Sequence, residues 1–246
     1  MMHLSRRLQR VAANVCSGGV VADIGCDHGF TSIYLVQENK AVSAIAMDVN
    51  QGPLKRAKEH ILQYGMSDRI TLRLSDGLLK LMPGEADTLL ISGMGGALIA
   101  RILTDGSEVA AAAKELVLSP QSEAFLVRKC VHRLGFQIAS EEMLADQGKY
   151  YVVIRAVPGN ERYGEEIDYL YGKKLMDRQD IIFFQYMKKE EARVNKVLQG
   201  LPGQGLSAVG EQRKKDLQQE RAQIQKVLNR ISYQKEGGRL WENELG

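Results

Sequence analysis

Seven short apolar runs alternate with helical patterns between residues 20 and 157, and this alternation confines the chain to a small set of folds. The runs are VVADI (20–24), SAIAMDV (43–49), ITLRLS (70–75), TLLISG (88–93), ELVLS (115–119), GFQIASEEML (135–144) and YYVVIRAV (150–157). Helical stretches at 31–38, 52–64 and 123–134 lie between them. Strand, helix, strand in succession is the mark of a parallel sheet with crossover helices on its faces. The last two runs are joined only by ADQGK, which is too short for a crossover and long enough for a hairpin. The expected architecture is therefore α/β, a seven-stranded and mostly parallel sheet finished by an antiparallel edge.

Strand signals stop after Pro158. Segments 181–198 and 211–231 read as helices, with Phe184, Met187, Val194 and Leu198 on one face of the first and Leu217, Ile224, Leu228 and Ile231 on one face of the second. QGLPGQGLS between them reads as a turn, so a C-terminal helical hairpin is appended to the α/β domain. The expected domains are 1–159 and 160–246. The apolar stripe serves either internal packing or oligomerisation, and a monomer is the expectation.

Composition narrows the functional classes. With 44% hydrophobic and 26% charged residues, the chain is an ordinary globular protein. No apolar run approaches the ~18 residues that span a bilayer, and MMHLSRRLQRVAANV is an amphipathic helix without a secretory core, so a cytoplasmic protein with no membrane partner is expected. Cys16, Cys26 and Cys130 are too scattered for a disulfide framework or zinc site, and the four histidines lack ligand spacing, so no metal is expected. A net charge of +3 neither demands nor excludes nucleic acid.

The stretch VVADIGCDHGF is a strand followed by a glycine turn, a place where dinucleotide enzymes receive pyrophosphate. Here the glycine spacing is wrong, and Asp23 and Asp27 stand where phosphates would sit. Carboxylates beside phosphates repel, the more so in a partly dry site. A cationic ligand without phosphate suits the turn, and S-adenosylmethionine, with its sulfonium and ammonium, is such a ligand. Asp48, in AIAMDVN, ends the second strand where a carboxylate can accept both ribose hydroxyls, with Val49 beside it; Asp76 and Gly77 follow the third, where an adenine can be held. Each acid alone is better read as solvated or capping. Three at the carboxyl ends of consecutive strands fall where open α/β sheets bind ligands.

The set DIGCDHG, MDVNQGPL, SDGL and ISGMGGALI, together with LSRRL, LVLSPQSEAFLVR and DQGKYY, resembles the bacterial tRNA (adenine(22)-N1)-methyltransferase family. The resemblance runs over nearly the whole chain. It implies a Rossmann-like class I methyltransferase sheet, S-adenosyl-L-methionine as cofactor, tRNA as partner, and methyl transfer to N1 of adenine. Cofactor binding would fall to Asp23, Gly25, Asp48, Val49, Asp76, Gly77, Gly93 and Met94, and catalysis to Asp27 and His28. Arg6, Arg7, Gly95, Gly96, Pro120, Gln121, Lys149 and Tyr150 would face RNA. Two departures stand out: Thr31 and Ser32 replace a Leu-Pro pair, and Pro120-Gln121 replaces Pro-Asn.

After the fourth strand, ISGMGG lacks the polar-Pro-Pro-aromatic group typical of methylation at an exocyclic amine. Gly93, Gly95 and Gly96 are expected either to expose backbone N–H groups to a base or simply to form a tight turn into a helix at 97–103. Met94 offers a flexible apolar surface for a planar ring. Ring N1 of adenine carries its own in-plane lone pair, so alignment matters more than a base. Asp27 is the candidate to stabilise the positive charge that moves onto the ring, with His28 positioning it, contacting RNA or being structural. Lys173, Lys174, Arg178, Lys188, Lys189, Arg213, Lys214 and Lys215 either grip phosphates or form a solvated helix surface. Methylation of a small molecule or protein, and a non-catalytic RNA-binding module, are the competing readings.

Overall fold

The computed structural model describes residues 2–16, 18–201 and 207–236. The chain divides into two compact units, Met1–Gly164 and Glu165–Gly246.

The first unit opens with α1 (Arg6–Ala13), capped by the Ser5 hydroxyl, which accepts from the Leu8 N–H. It continues with β1 (Val20–Ile24), α2 (Phe30–Gln37), β2 (Ser43–Asp48), α3 (Gln51–Gln63), β3 (Ile70–Leu74), β4 (Thr88–Ser92), α4 (Gly96–Asp105), a short α5 (Ser107–Ala111), β5 (Glu115–Ser119), α6 (Ala124–Arg133), β6 (Phe136–Asp146) and β7 (Lys149–Pro158). The seven strands form one sheet in the order β3-β2-β1-β4-β5-β7-β6, with the first five parallel and the β6–β7 hairpin antiparallel at the edge. The expected α/β architecture is present.

Helices cover the central strands, so β1, β4 and β5 are buried along nearly their whole length, which is why they read as continuous apolar runs. Val21, Leu90 and Val117 in the sheet pack in one core with Ile33, Leu35 and Val36 of α2. Polar groups inside this core are satisfied in sets. Glu115 Oε1 accepts from Thr88 Oγ1 (2.8 Å) and from the Cys16 N–H (2.9 Å), and Oε2 accepts from Arg155 Nε (2.8 Å). Arg128 of α6 and Glu141 of β6, both buried, meet at 2.6 Å. Removing either partner would strand a buried charge.

Two features of the topology build the site. Because the first five strands are parallel, their carboxyl ends share one edge, and the strand order reverses between β1 and β4 there. The hairpin then adds a wall. β7 runs antiparallel to β5 with Leu118 opposite Ile154, so Tyr151, three residues earlier, lies ~10 Å further along, past the carboxyl end of β5.

The second unit holds a π-helical turn (Asp168–Gly172), α7 (Lys173–Asp177), α8 (Ile181–Gly200) and α9 (Ala208–Glu236). The Asp180 carboxylate caps α8, accepting from the Ile182 and Phe183 N–H groups. Helices α8 and α9 pack on each other. In α8 the buried face is Phe183, Met187 and Val194; Phe184 and Leu198, expected on it, are only half-buried. Steps of four and seven residues return to nearly the same angle on a helix, and Phe183 completes that series where Phe184 does not. In α9, Leu217, Ile224, Leu228 and Ile231 are buried as expected, joined by Val227. Of the expected QGLPGQGLS turn, residues 202–206 lie outside the described residues.

Candidate active site

The turn after β1 is hooked to the end of β2: the N–H groups of Gly25 and Cys26 both donate to the Met47 carbonyl, at 2.8 and 2.9 Å. Gly25 adopts φ +76°, a backbone conformation that favours glycine, and Cε of the flexible Met94 side chain lies where a Cβ would stand. Met94, on the turn after β4, thereby lies against the turn after β1.

Asp23, on β1 and only 4% exposed, accepts a hydrogen bond from Ser32 Oγ at 2.8 Å. Burial pushes its carboxyl up to about 6, opposed by bonds from the Ser32 hydroxyl and amide and reinforced by the nearby charge of Asp48. Asp48, 9% exposed at the end of the adjacent strand, accepts from the Asn50 N–H at 2.9 Å. Neither carboxylate has a cationic partner among the described residues. Two buried acids on neighbouring strand ends with no counter-charge form a donor set that fits a cationic ligand and opposes a phosphate. Val49 beside them is 57% exposed. The Cys26 thiol is held well above its ordinary range by burial and by Asp23, Asp48 and Asp27, which keeps it a thiol.

At the end of β3, Gly77 is buried with φ +53°, and Asp76 is exposed with its carboxylate 3.8 Å from Arg101 of α4. These residues, with Leu78 and Ile102, line a small cavity at the same edge of the sheet.

The glycines after β4 differ from one of the two expectations stated for them. The N–H of Gly93 donates to the Ser119 carbonyl (3.1 Å) and that of Gly96 to the Ser122 carbonyl (2.9 Å), while the Gln121 N–H donates to the Met94 carbonyl (2.9 Å). Those two N–H groups lock the turn after β4 to the turn after β5 and are not presented to a ligand. A Cβ on Gly96 would collide with the carbonyl of Glu123, so the close backbone approach is what glycine permits there. Gly95 precedes α4 in extended conformation, as its N-cap.

Around Gly93 the expected RNA residues partly converge. A Cβ on Gly93 would meet the Arg7 guanidinium at 3.4 Å and Gln121 Nε2 at 3.8 Å. Arg7 Nη1 also reaches Ser92 Oγ at 3.5 Å, and its Cζ lies 5.4 Å from the ring centroid of Tyr151. Tyr151, rather than Tyr150, stands under Arg7, because successive residues of β7 point to opposite faces. Pro120 is buried, whereas Arg6 and Lys149 are exposed and make none of these contacts.

Asp27 has φ +48° and a largely exposed carboxylate, paired with Arg56 of α3 at 2.9 Å and 3.6 Å from His28 Nε2. The His28 ring stacks on Phe30 (centroids 5.2 Å apart, planes 15° apart) and lies 5.5 Å from His60, whose Nδ1 is 3.0 Å from the His28 carbonyl oxygen. His28 Nδ1 is buried without a hydrogen-bond partner among the described residues. The sequence reading missed Ser32, Arg56, Phe30, His60 and Tyr151 as parts of this edge. Arg56 and His60 carried one usable signal, their separation of four residues on a helix, which places them on a common face.

In the second unit several expected phosphate-gripping cations are taken up by acids: Lys173 pairs with Asp177 and Lys188 with Glu191. Arg213, Lys214 and Lys215 make no ion pair among the described residues. No group of three His, Cys, Asp or Glu among the described residues is placed to hold a metal, and no described helix is long and apolar enough to cross a membrane.

A seven-stranded sheet with this order, carrying unpaired buried acids at the ends of β1 and β2, defines a class I S-adenosylmethionine-dependent methyltransferase. The family model for a methyltransferase domain matches residues 4–154. The tRNA (adenine(22)-N(1))-methyltransferase of Bacillus subtilis (strain 168) is 38% identical over 159 residues, covering 65% of this chain and 67% of the relative. The crystal structure of the B. subtilis m1A22 tRNA methyltransferase TrmK superposes with a TM-score of 0.83 at 30% identity, covering 93% of this chain and all of that one. Streptococcus pneumoniae Sp1610 in complex with S-adenosyl-L-methionine gives 0.82 at 30% identity, over 92% of this chain and all of that one. The chain belongs to the bacterial tRNA (adenine(22)-N1)-methyltransferase family.

Proposed function

We propose that this protein transfers the methyl group of S-adenosyl-L-methionine to N1 of adenine 22 in tRNA, acting as a monomer in the cytoplasm. The observation that carries the reading is the pair of buried, unpartnered carboxylates Asp23 and Asp48 at one sheet edge of a chain 38% identical to an enzyme of that name.

S-adenosyl-L-methionine supplies, when bound, an electrophilic methyl group on a positively charged sulfur. Asp23 provides negative charge for its cationic methionine end, Asp48 accepts from the ribose hydroxyls, and Asp76 with Gly77 and Val49 borders the adenine. Gly25 admits the ligand to the backbone, and Met94 and Gly93 close the opposite side.

The substrate N1 needs no base, since its lone pair lies in the ring plane, so the chain's task is to place it. N1 is on the pairing edge, and turning the nucleotide out costs a few kcal/mol that new contacts must recover. Arg7 and Tyr151, with Gln121, frame the open side of Gly93 and offer a guanidinium and an aromatic face for that purpose. Gly95, Gly96 and Pro120 shape the floor, and Arg6, Lys149 and Tyr150 border the entrance. Asp27 stabilises the charge that develops on the ring; Arg56 fixes one of its oxygens, and His28 stands by the other. Arg213, Lys214 and Lys215 take phosphates of the tRNA body.

The test is methylation of two in vitro transcripts of one tRNA, carrying adenine or guanine at position 22, with methyl-labelled donor. Label enters only the first. Equal labelling of both refutes the position, and labelling of neither, with a folded protein that binds the donor, refutes the substrate.

A further inference from the structure

Ser32 occupies the third position of α2, whose N-cap is Gly29, a residue with no side chain to satisfy the exposed N–H groups of the first turn. The Asp23 carboxylate does so from the neighbouring strand. It accepts from the Ser32 hydroxyl at 2.8 Å, and the Ser32 amide N–H on the same turn also favours its charged form. Ser32 is fully buried and Asp23 nearly so, so water does not compete for the hydroxyl bond. One residue thus sets a hydroxyl donor and an amide N–H beside one carboxylate, and a proline at this position, as in the family pattern, has neither group to give.

We propose that Ser32 is a positioning residue of the methyl-donor site, holding the Asp23 carboxylate in the orientation and charge state that meet the cationic end of S-adenosyl-L-methionine. The inference rests on the assignment of Asp23 to that ligand. A buried carboxylate without these donors either rotates or takes up a proton, and both weaken attraction to a cation. The other groups facing Asp23 do not replace Ser32. Asp48 at the end of β2 repels it, Cys26 in the turn stays protonated, Asp27 is engaged by Arg56, and β4 presents Leu90 in register. Asp23 therefore depends on α2 for its stabilisation as an anion.

The experiment compares the full-length wild type with Ser32→Ala and with the near-isosteric, weaker donor Ser32→Cys. Donor affinity is measured by calorimetry from pH 5.5 to 8.5, and the Asp23 carboxyl titration is followed by carbon NMR in the ligand-free protein. A hydrogen bond to a charged acceptor is worth on the order of tenfold or more, equivalent to about one pH unit. In Ser32→Ala the acid limb of the affinity profile and the Asp23 titration should both move up by about one unit, with Ser32→Cys between it and wild type. A purely packing role would lower affinity evenly at all pH and leave the titration where it was, and that result overturns the proposal. Asp23→Ala separates the two levels of the argument. If it leaves donor affinity intact, the Asp23 assignment falls, and the proposal with it; if it abolishes binding while Ser32→Ala changes neither profile, only the role of Ser32 falls.

Discussion

Replacing Asp23 with Asn should stabilise the ligand-free protein at neutral pH and do nothing for it in acid. In the folded chain burial raises this carboxyl from an ordinary value of 3.8 to about 6. The folded state therefore holds the proton more tightly than the unfolded state, and stability falls as pH rises from about 4 to about 6. The two-unit difference corresponds to about 3 kcal/mol, absent below pH 4 and fully present above the folded value. Asparagine is neutral throughout and keeps an oxygen to accept from Ser32. Urea unfolding of wild type and Asp23→Asn at pH 4.5 and 7.5 isolates this contribution, because the remaining carboxylates titrate alike in both proteins and cancel. Part of the penalty is already present at pH 4.5, so the variant should gain about 2 kcal/mol relative to wild type between the two conditions, or roughly 4–8 °C in midpoint temperature. It should lose donor binding at the same time. A difference that does not change with pH, or one that favours wild type at pH 7.5, would refute the idea that Asp23 is an uncompensated buried charge kept for a ligand.

Other substitutions probe the remaining roles. Asp48→Ala should weaken donor affinity by on the order of tenfold to a hundredfold in calorimetry while leaving tRNA binding unchanged; an unaltered affinity removes Asp48 from the ribose. Asp27→Asn should lower the single-turnover rate by at least tenfold with both binding steps nearly intact, and a normal rate excludes its carboxylate from charge stabilisation. Tyr151→Ala and Arg7→Ala should each reduce tRNA methylation through weaker capture of the base, with donor affinity unaffected, whereas Tyr150→Ala should do much less. Equal losses at Tyr150 and Tyr151 would place the aromatic contact elsewhere.

The sheet was legible because its signals are local and repeated. Apolar runs mark β1 to β5, and a five-residue link can join β6 to β7 only as a hairpin. The strand-end acids were legible for a related reason, since a parallel sheet sends Asp23, Asp48 and Asp76 to one edge wherever the helices fall. What stayed hidden depends on where separate segments meet. Arg56 reaches Asp27 from 29 residues away, and Arg7 finds Tyr151 only because β7 overshoots β5. The glycines after β4 misled in part because a glycine signals either an open backbone or a crowded one, and the sequence does not say which. Ser32 looked like a lapse in the turn; packed against β1, it is the donor that Asp23 lacks elsewhere. On α8 the choice between adjacent Phe183 and Phe184 turned on a rotation of one residue, finer than an apolar stripe read from sequence resolves.

The most direct test of the account is chemical. The full-length protein is incubated with methyl-labelled S-adenosyl-L-methionine and unmodified total tRNA, the RNA is digested, and the labelled nucleoside is identified and mapped. The account predicts N1-methyladenosine at position 22, lost in Asp23→Ala and, at donor concentrations near the wild-type Kd, strongly reduced in Asp48→Ala. Label in N6-methyladenosine, label at another position, or transfer at the wild-type rate in both variants would contradict it.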